Sequence, residues 1–260
     1  MFTEDSKRVR TARRPVAEKL STPLKLERHP FEEILRKPVT RKILGILSRS
    51  GKDGQTPLEK IAYSYKNESA SLKTRVKHAI PHMAVDYFVR KIGVSPESII
   101  QKVFRHKPTI KALVNTARSI CAYGLVEPQR FAAPLIVVWN FTQACNLSCK
   151  HCYQSASPNK APDELTLEEK LHVVDELADA YVPFLAFAGG EPFVDPDIWP
   201  VLKRCQERGI HTTAATNGTM VTPRVAEQLV ECGVKYVEVS LDSIDRDHHD
   251  DFRGMRGAWA

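Results

Sequence analysis

"LIVVWNFTQACNLSCKHCYQ", Leu135–Gln154, carries two signals in twenty residues. Leu135–Thr142 is a short apolar run rich in β-branched and aromatic residues, the pattern of a buried strand. Directly after it, Cys145, Cys149 and Cys152 fall within eight residues, spaced C-x3-C-x2-C. A strand that empties into such a loop implies a sheet whose chemistry gathers at one rim.

The pattern continues downstream. "LTLEEKLHVVDELADAY" reads as a helix, with Thr166 and Glu169 as a capping box. "FLAFAGGEP" is a strand closed by the pair Gly189–Gly190, and "DIWPVLKRCQERG" is a helix that tolerates Pro200 in its first turn. "IHTTAATNG" is a strand. "TPRVAEQLVECG" is a helix opened by Thr222 and Pro223, and "VKYVEVSLD" is a strand. The last three strands start near residues 184, 210 and 234, the pace of repeated βα units and a parallel sheet. The expected fold class is α/β, closing toward a barrel or a doubly wound sheet. In either, function collects where strands end and helices begin. The cysteine loop, Gly189–Pro192, Thr216–Gly218 and Ser240–Asp242 all fall there.

Upstream the character differs. Residues 1–29 are polar and basic and read as a flexible arm. Residues 30–124 read as a small all-helical domain, and 125–133, with Pro128, as a linker into the unit 134–260. "TPLEKIAYSY" opens with Thr56 as N-cap, Pro57 next and Glu59 closing a second capping box. "SLKTRVKHAIPHMAVDYFVRKIG" is a long helix kinked or broken at Pro81 and ended at Gly93. Another helix starts at Ser95, and "PTIKALVNTARSICAYG" ends at Gly124.

Composition limits the classes. With 42% hydrophobic and 27% charged residues the chain fits a soluble globular protein, and no apolar run is long enough for a membrane span. The N-terminus lacks the apolar core of a secretory signal. The expected location is cytoplasmic and reducing, where clustered cysteines act as metal ligands or catalysts rather than disulfides. Net charge is uneven: +15 over residues 1–130 and −8 over 131–260. The basic half has no aromatic-interleaved motif, so nucleic acid is not an expected partner.

Three cysteines are one short of a structural zinc site. One reading completes them with His151 or a distant ligand. Another places three thiolates on three irons of a cubane cluster, leaving the fourth iron free for a substrate. Cys121, Cys205 and Cys232 fall in helices and read as packing residues. His248 and His249 stand in the charged run "DRDHHDDFR" and read as a solvated helix start rather than a metal pair.

C-x3-C-x2-C after one strand and Gly-Gly-Glu-Pro after the next resemble the radical S-adenosylmethionine superfamily over residues 134–260. "TNG", "VSLD" and "HDDFRG" further resemble its SPASM-associated branch. The resemblance implies a partial (βα) barrel of radical-SAM type, with β1–β4 present, preceded by the all-α domain. It implies a 4Fe–4S cluster on Cys145, Cys149 and Cys152, with S-adenosylmethionine chelating the open iron. Reductive cleavage then gives a 5′-deoxyadenosyl radical. Cofactor-contacting positions would be Gly189, Gly190, Glu191 and Pro192 along the methionyl amine, and His151 and Tyr153 near the adenine. Asn217 and Ser240 would contact ribose or methionyl groups, and Arg253 the methionyl carboxylate. The implied protein is an oxidoreductase or maturase acting on a peptide or small molecule, fed by a reductant such as ferredoxin or flavodoxin. Haem-type cofactor biosynthesis is the alternative within the branch. Outside it stands a non-catalytic iron–sulfur or zinc module whose basic helical half binds a partner. The family's fifth and sixth strands and any C-terminal cysteine-rich domain have no counterpart here, so a fragment, inactive alone, is expected.

Overall fold

The computed structural model describes residues 30–65, 67, 69–91 and 103–260. The expected arm at 1–29, the stop at Gly93 and the helix start at Ser95 lie outside the described residues. Before residue 124 the described elements are all helical: α1 (Pro30–Arg36), α2 (Pro38–Ser48), α3 (Pro57–Ser64), α4 (Leu72–Lys77), α5 (Ala79–Lys91) and α6 (Lys107–Tyr123). The capping box of α3 forms: Thr56 Oγ1 accepts from the Glu59 amide at 3.1 Å, and the Glu59 carboxylate accepts from the Thr56 amide at 2.7 Å. The break expected at Pro81 falls at His78 instead, between α4 and α5. Pro81 sits in the first turn of α5, where its missing N–H costs no helical bond.

Four parallel strands follow, β1 (Ile136–Thr142), β2 (Phe184–Gly189), β3 (His211–Thr216) and β4 (Tyr236–Val239), hydrogen-bonded in the order β1-β2-β3-β4. Register runs Ile136↔Phe184, Phe184↔His211 and Thr213↔Tyr236. Between them lie α7 (Leu167–Asp179), α8 (Ile198–Glu207) and α9 (Pro223–Glu231), and α10 (Arg246–Arg253) follows β4. This is an α/β fold, an open segment of a (βα) barrel behind an all-α portion. The capping box at Thr166 and the cap at Thr222 both form.

Alternation decides which face is core. Phe141, Leu185, Phe187 and Ala214 point to one side and pack with Val174 and Ala178 of α7, Val201, Leu202 and Cys205 of α8 and Leu229 of α9. Burying each large apolar side chain there contributes roughly 1.5–3 kcal/mol. The other face carries Ile136, Val138 and Asn140, all exposed, with Tyr236 and Glu238. The expectation of a wholly buried β1 is therefore corrected: Ile136 and Val138 are 61% and 63% exposed. All three crossover helices lie on the opposite face, and on this one His106, at the start of α6, meets His211 at the bottom of the sheet.

Tyr181, in the turn after α7, joins the two halves. It packs with Ala62, Ile110 and Val114, and its hydroxyl donates to Glu59 at 2.7 Å. The Arg118 guanidinium lies 4.1 Å from its ring centre. Residues 125–133, read as a linker, are tied down at their end: Ser119 Oγ accepts from the Ala132 amide, and Asn115 donates to the Ala133 carbonyl.

Candidate functional site

The cysteine loop is held by backbone bonds before any ligand is considered. The Cys145 amide donates to Ser157 O at 2.7 Å, and the Ser157 amide to Gln143 O at 3.1 Å. Glu164 accepts from the Gln143 amide at 2.7 Å and from Thr142 Oγ1 at 3.0 Å, fixing the exit from β1. From the far side, α10 docks its C-terminal end on the loop: the Ser148 and Lys150 amides donate to Arg253 O and Phe252 O at 3.2 and 3.0 Å. The ring of His151 stacks on Phe252 at 4.5 Å and 11°. Gly254 ends α10 at φ 69°, and a Cβ there would meet Ser148 O at 2.5 Å. Only glycine permits that closeness and that backbone together.

Each thiol of the loop has an N–H directed at it. Leu147 N donates to Cys145 Sγ at 3.4 Å, Ala156 N to Cys152 Sγ at 3.5 Å, and Arg253 Nη1 to Cys149 Sγ at 3.8 Å. All six cysteines are free. Burial pushes the Cys145 thiol above its ordinary pKa, and the Glu191 and Cys149 charges add to it, against the donors from Leu147 and Asn217. Among the described residues, no three His, Cys, Asp or Glu side chains stand close enough together to hold a single metal ion. The thiols instead line a cleft at the C-terminal rim of the sheet.

That cleft brings together Cys145, Cys149, Cys152, His151, Tyr153, Gly189, Gly190, Asn217, Ser240 and Arg253, with Ala188 and Ala215 as small wall residues. Of the residues picked from sequence, Glu191 and Pro192 are not in its lining. Glu191 is fully buried, and its carboxylate turns into the protein. It accepts from the Asn217 amide at 2.7 Å, from Thr216 Oγ1 at 2.9 Å and from the Phe193 amide at 3.2 Å. Burial raises its pKa, against these three donors. The carboxylate thus ties the turn after β2 to the end of β3, and does not face the cleft as the sequence reading had it.

The glycine pair has a similar explanation. A Cβ on Gly189 would meet Thr142 O at 2.6 Å, and one on Gly190 would meet Ala144 O at 2.2 Å. The Gly190 and Glu191 amides donate to those same two carbonyls at 2.8 Å each. The turn has to lie flat against the start of the cysteine loop, so glycine is needed by the chain's own packing.

Asn217 is also partly engaged. Its Nδ2 donates to Asn146 Oδ1 at 2.9 Å and lies 4.0 Å from Cys145 Sγ, and its Oδ1 accepts from the Thr219 amide and hydroxyl. Arg253, nearly buried, pairs with Asp242 at 2.5 Å. His249 is buried, and its Nδ1 accepts from the Asp242 amide at 3.2 Å. It is a brace for the β4 rim loop, not the solvated residue expected, while His248 is exposed. Sequence reasoning missed Asn146, Glu164 and the pairing of Asp242 with Arg253. The only signal was that each stands in a rim loop or at a strand end.

Beneath the turn, Lys170 of α7 is buried and donates to Asp195 at 2.6 Å and Asp197 at 2.9 Å, and Lys160 pairs with Asp195 at 2.7 Å. Burial alone would raise Asp195, but the two lysines outweigh it and hold the carboxyl below its usual pKa.

Residues 139–259 match the family model described as the Radical SAM superfamily. Over this stretch the chain is similar to radical SAM domains. An AdoMet-dependent heme synthase of Methanosarcina barkeri is 39% identical over 127 residues, covering 49% of this chain and 36% of that protein. The mycofactocin maturase MftC of Mycobacterium tuberculosis is 35% identical over 122 residues, covering 47% and 31%. A crystal structure of Streptococcus suis SuiB bound to its precursor peptide SuiA is similar to 56% of this chain and 33% of that one, at 25% identity and a TM-score of 0.44. The chain spans about a third of the length of these curated relatives. The matched stretch begins within β1 and runs through α10, so it contains all three thiols and every rim loop of the cleft.

Proposed function

We propose that Cys145, Cys149 and Cys152 hold a 4Fe–4S cluster and that the cleft beside them binds S-adenosylmethionine on the remaining iron. When bound, the pair supplies reductive cleavage of the sulfonium to a 5′-deoxyadenosyl radical, which takes a hydrogen atom from a peptide or small-molecule substrate. The observation that carries this reading is the thiol arrangement: three free cysteines, each with an N–H aimed at its sulfur, around a cleft rather than around one ion. Those donors offset thiolate charge and tune a cluster's potential.

The chain's own groups divide the remaining work. Gly189 and Gly190 bring backbone to the cleft wall, where carbonyl oxygens suit the methionyl amine. Glu191, with Pro192 behind it, positions that turn and Asn217 rather than touching the cofactor. Arg253 offers a cation for the methionyl carboxylate while Asp242 holds it in place. Ser240 and the Asn217 amide face the ribose and methionyl side, and His151 and Tyr153 the adenine. The bare sheet face continues from the cleft through Ala188 and Ala215 to Asn140 and Glu238 in the same register row, and leaves room there for a substrate. The names of the relatives support two substrate classes, a modified peptide and a haem-type tetrapyrrole.

The reading includes a cytoplasmic oxidoreductase fed by ferredoxin or flavodoxin. Among the described residues, no helix is long and apolar enough to cross a membrane. Reduced, anaerobically reconstituted full-length protein should release 5′-deoxyadenosine from S-adenosylmethionine, measured by chromatography, and Cys149→Ala should abolish both cluster and product. A full-length protein that carries the cluster yet gives no 5′-deoxyadenosine contradicts the enzymatic reading.

A further inference from the structure

α4 and α5 meet at His78, whose φ of −102° and ψ of 8° keep the chain helix-like. The His78 amide donates to Thr74 O at 3.0 Å, and the His82 amide to His78 O at 2.9 Å. Side chains therefore keep their helical phase across the junction. Leu72, Val76, Ile80, Met83 and Tyr87 follow it in steps of four, four, three and four, and each is at least 68% exposed. At 100° per residue they fall within an arc of about 80°, the width of a coiled-coil seam rather than of a broad core-facing or membrane-lying face.

The inner side of the same helices is already used. His78 Nδ1 and His82 Nε2 lie 2.7 and 3.1 Å from Ser64 Oγ, and the Tyr65 ring meets His82 edge-on. The seam thus points outward, and none of its residues lines the thiol cleft. Contiguous exposed apolar surface of this kind marks an interaction site.

Charge identifies what fits it. Lys73, Arg75 and Lys77 are exposed beside the seam. The sole acidic residue in α4 and α5 is Asp86, which accepts from the Tyr65 hydroxyl. A second copy would bring like charge against like. So would this chain's first 29 residues, which hold eight Lys+Arg against four Asp+Glu.

We propose that the outer face of α4–α5 docks an amphipathic helix of a partner protein, with an apolar seam flanked by Asp and Glu. Apolar anchors at i, i+3 and i+4 spacing would give the affinity, and the flanking carboxylates the choice of partner.

The test uses the full chain and two synthetic helical peptides with one leucine seam, flanked in one by Glu and in the other by Lys. Calorimetry should show the Glu-flanked peptide binding at least about tenfold more tightly. Val76→Asp with Ile80→Asp should remove that binding while the circular dichroism spectrum and unfolding temperature hold. Lys73→Glu with Lys77→Glu should reverse the preference between peptides. Equal or absent binding of the two peptides, or binding that survives the aspartates, overturns the proposal. Preferential partition onto phosphatidylglycerol vesicles, or self-association through the seam in sedimentation, also overturns it by assigning the face to lipid or to a second copy.

Discussion

The rim of the sheet and the outer face of α4–α5 use their side chains in opposite ways. At the rim, the polar groups that join the loops are spoken for: Glu191 holds three donors, the Asn217 side chain four contacts, and α10 is bonded to the loop it covers. On α4–α5, large apolar residues meet water with nothing described across from them. The rim is pre-organised, since positioning bound groups tolerates little looseness. The helical face is complementary to something else. Substitutions of similar chemical size should therefore have very different effects in the two places.

The largest effect on stability is expected at Lys170. Lys170→Ala leaves Asp195 buried with half its cationic partners, and breaking such a pair costs about 3–5 kcal/mol. Denaturant unfolding would show it; a loss below about 1 kcal/mol would mean that the network does not brace the turn. Its pH dependence has a fixed sign. The Asp195 carboxyl titrates below its unfolded value in the native state, so its contribution is present above about pH 4 and is lost as pH falls through the native pKa. Lys170→Ala should flatten that acid limb.

Glu191→Gln comes next. It keeps the shape but presents an NH2 where donors already point, at a cost of about 1–3 kcal/mol. Loss of stability should accompany any loss of S-adenosylmethionine affinity. A large affinity loss at unchanged stability would return Glu191 to direct contact with the cofactor.

The smallest effect belongs to the helical face. Val76→Asp should change stability by no more than about 0.5 kcal/mol, as solvent-facing substitutions do. A cost of several kcal/mol in the isolated chain would show that the seam is packed within it, and the contrast between the two regions would collapse.

What the sequence showed and what it hid divide along the same physical line. The capping boxes at Thr56 and Thr166, the βα pace and the order of the rim loops were legible because each depends on neighbours a few residues apart. Glu191 was named correctly as a rim residue, but its direction was not legible. Burial and the donors of Thr216 and Asn217, a quarter of a hundred residues on, turn it inward. The glycine pair was expected to make room for a ligand; its tightest neighbours are carbonyls of the preceding strand and loop, a fact of sheet register. His249 looked solvated because a charged run surrounds it, yet the rim loop after β4 folds over it. β1 reads as buried on both faces, and the structure covers one.

The central claim is that three thiols hold a cluster with one iron open to S-adenosylmethionine. Electron paramagnetic resonance of the reconstituted, reduced protein tests it most directly when paired with iron and sulfide analysis. The account predicts about four irons and four sulfides per chain, and a signal that shifts when S-adenosylmethionine is added. About one zinc per chain without sulfide, or a cluster signal that S-adenosylmethionine leaves unchanged, would contradict it.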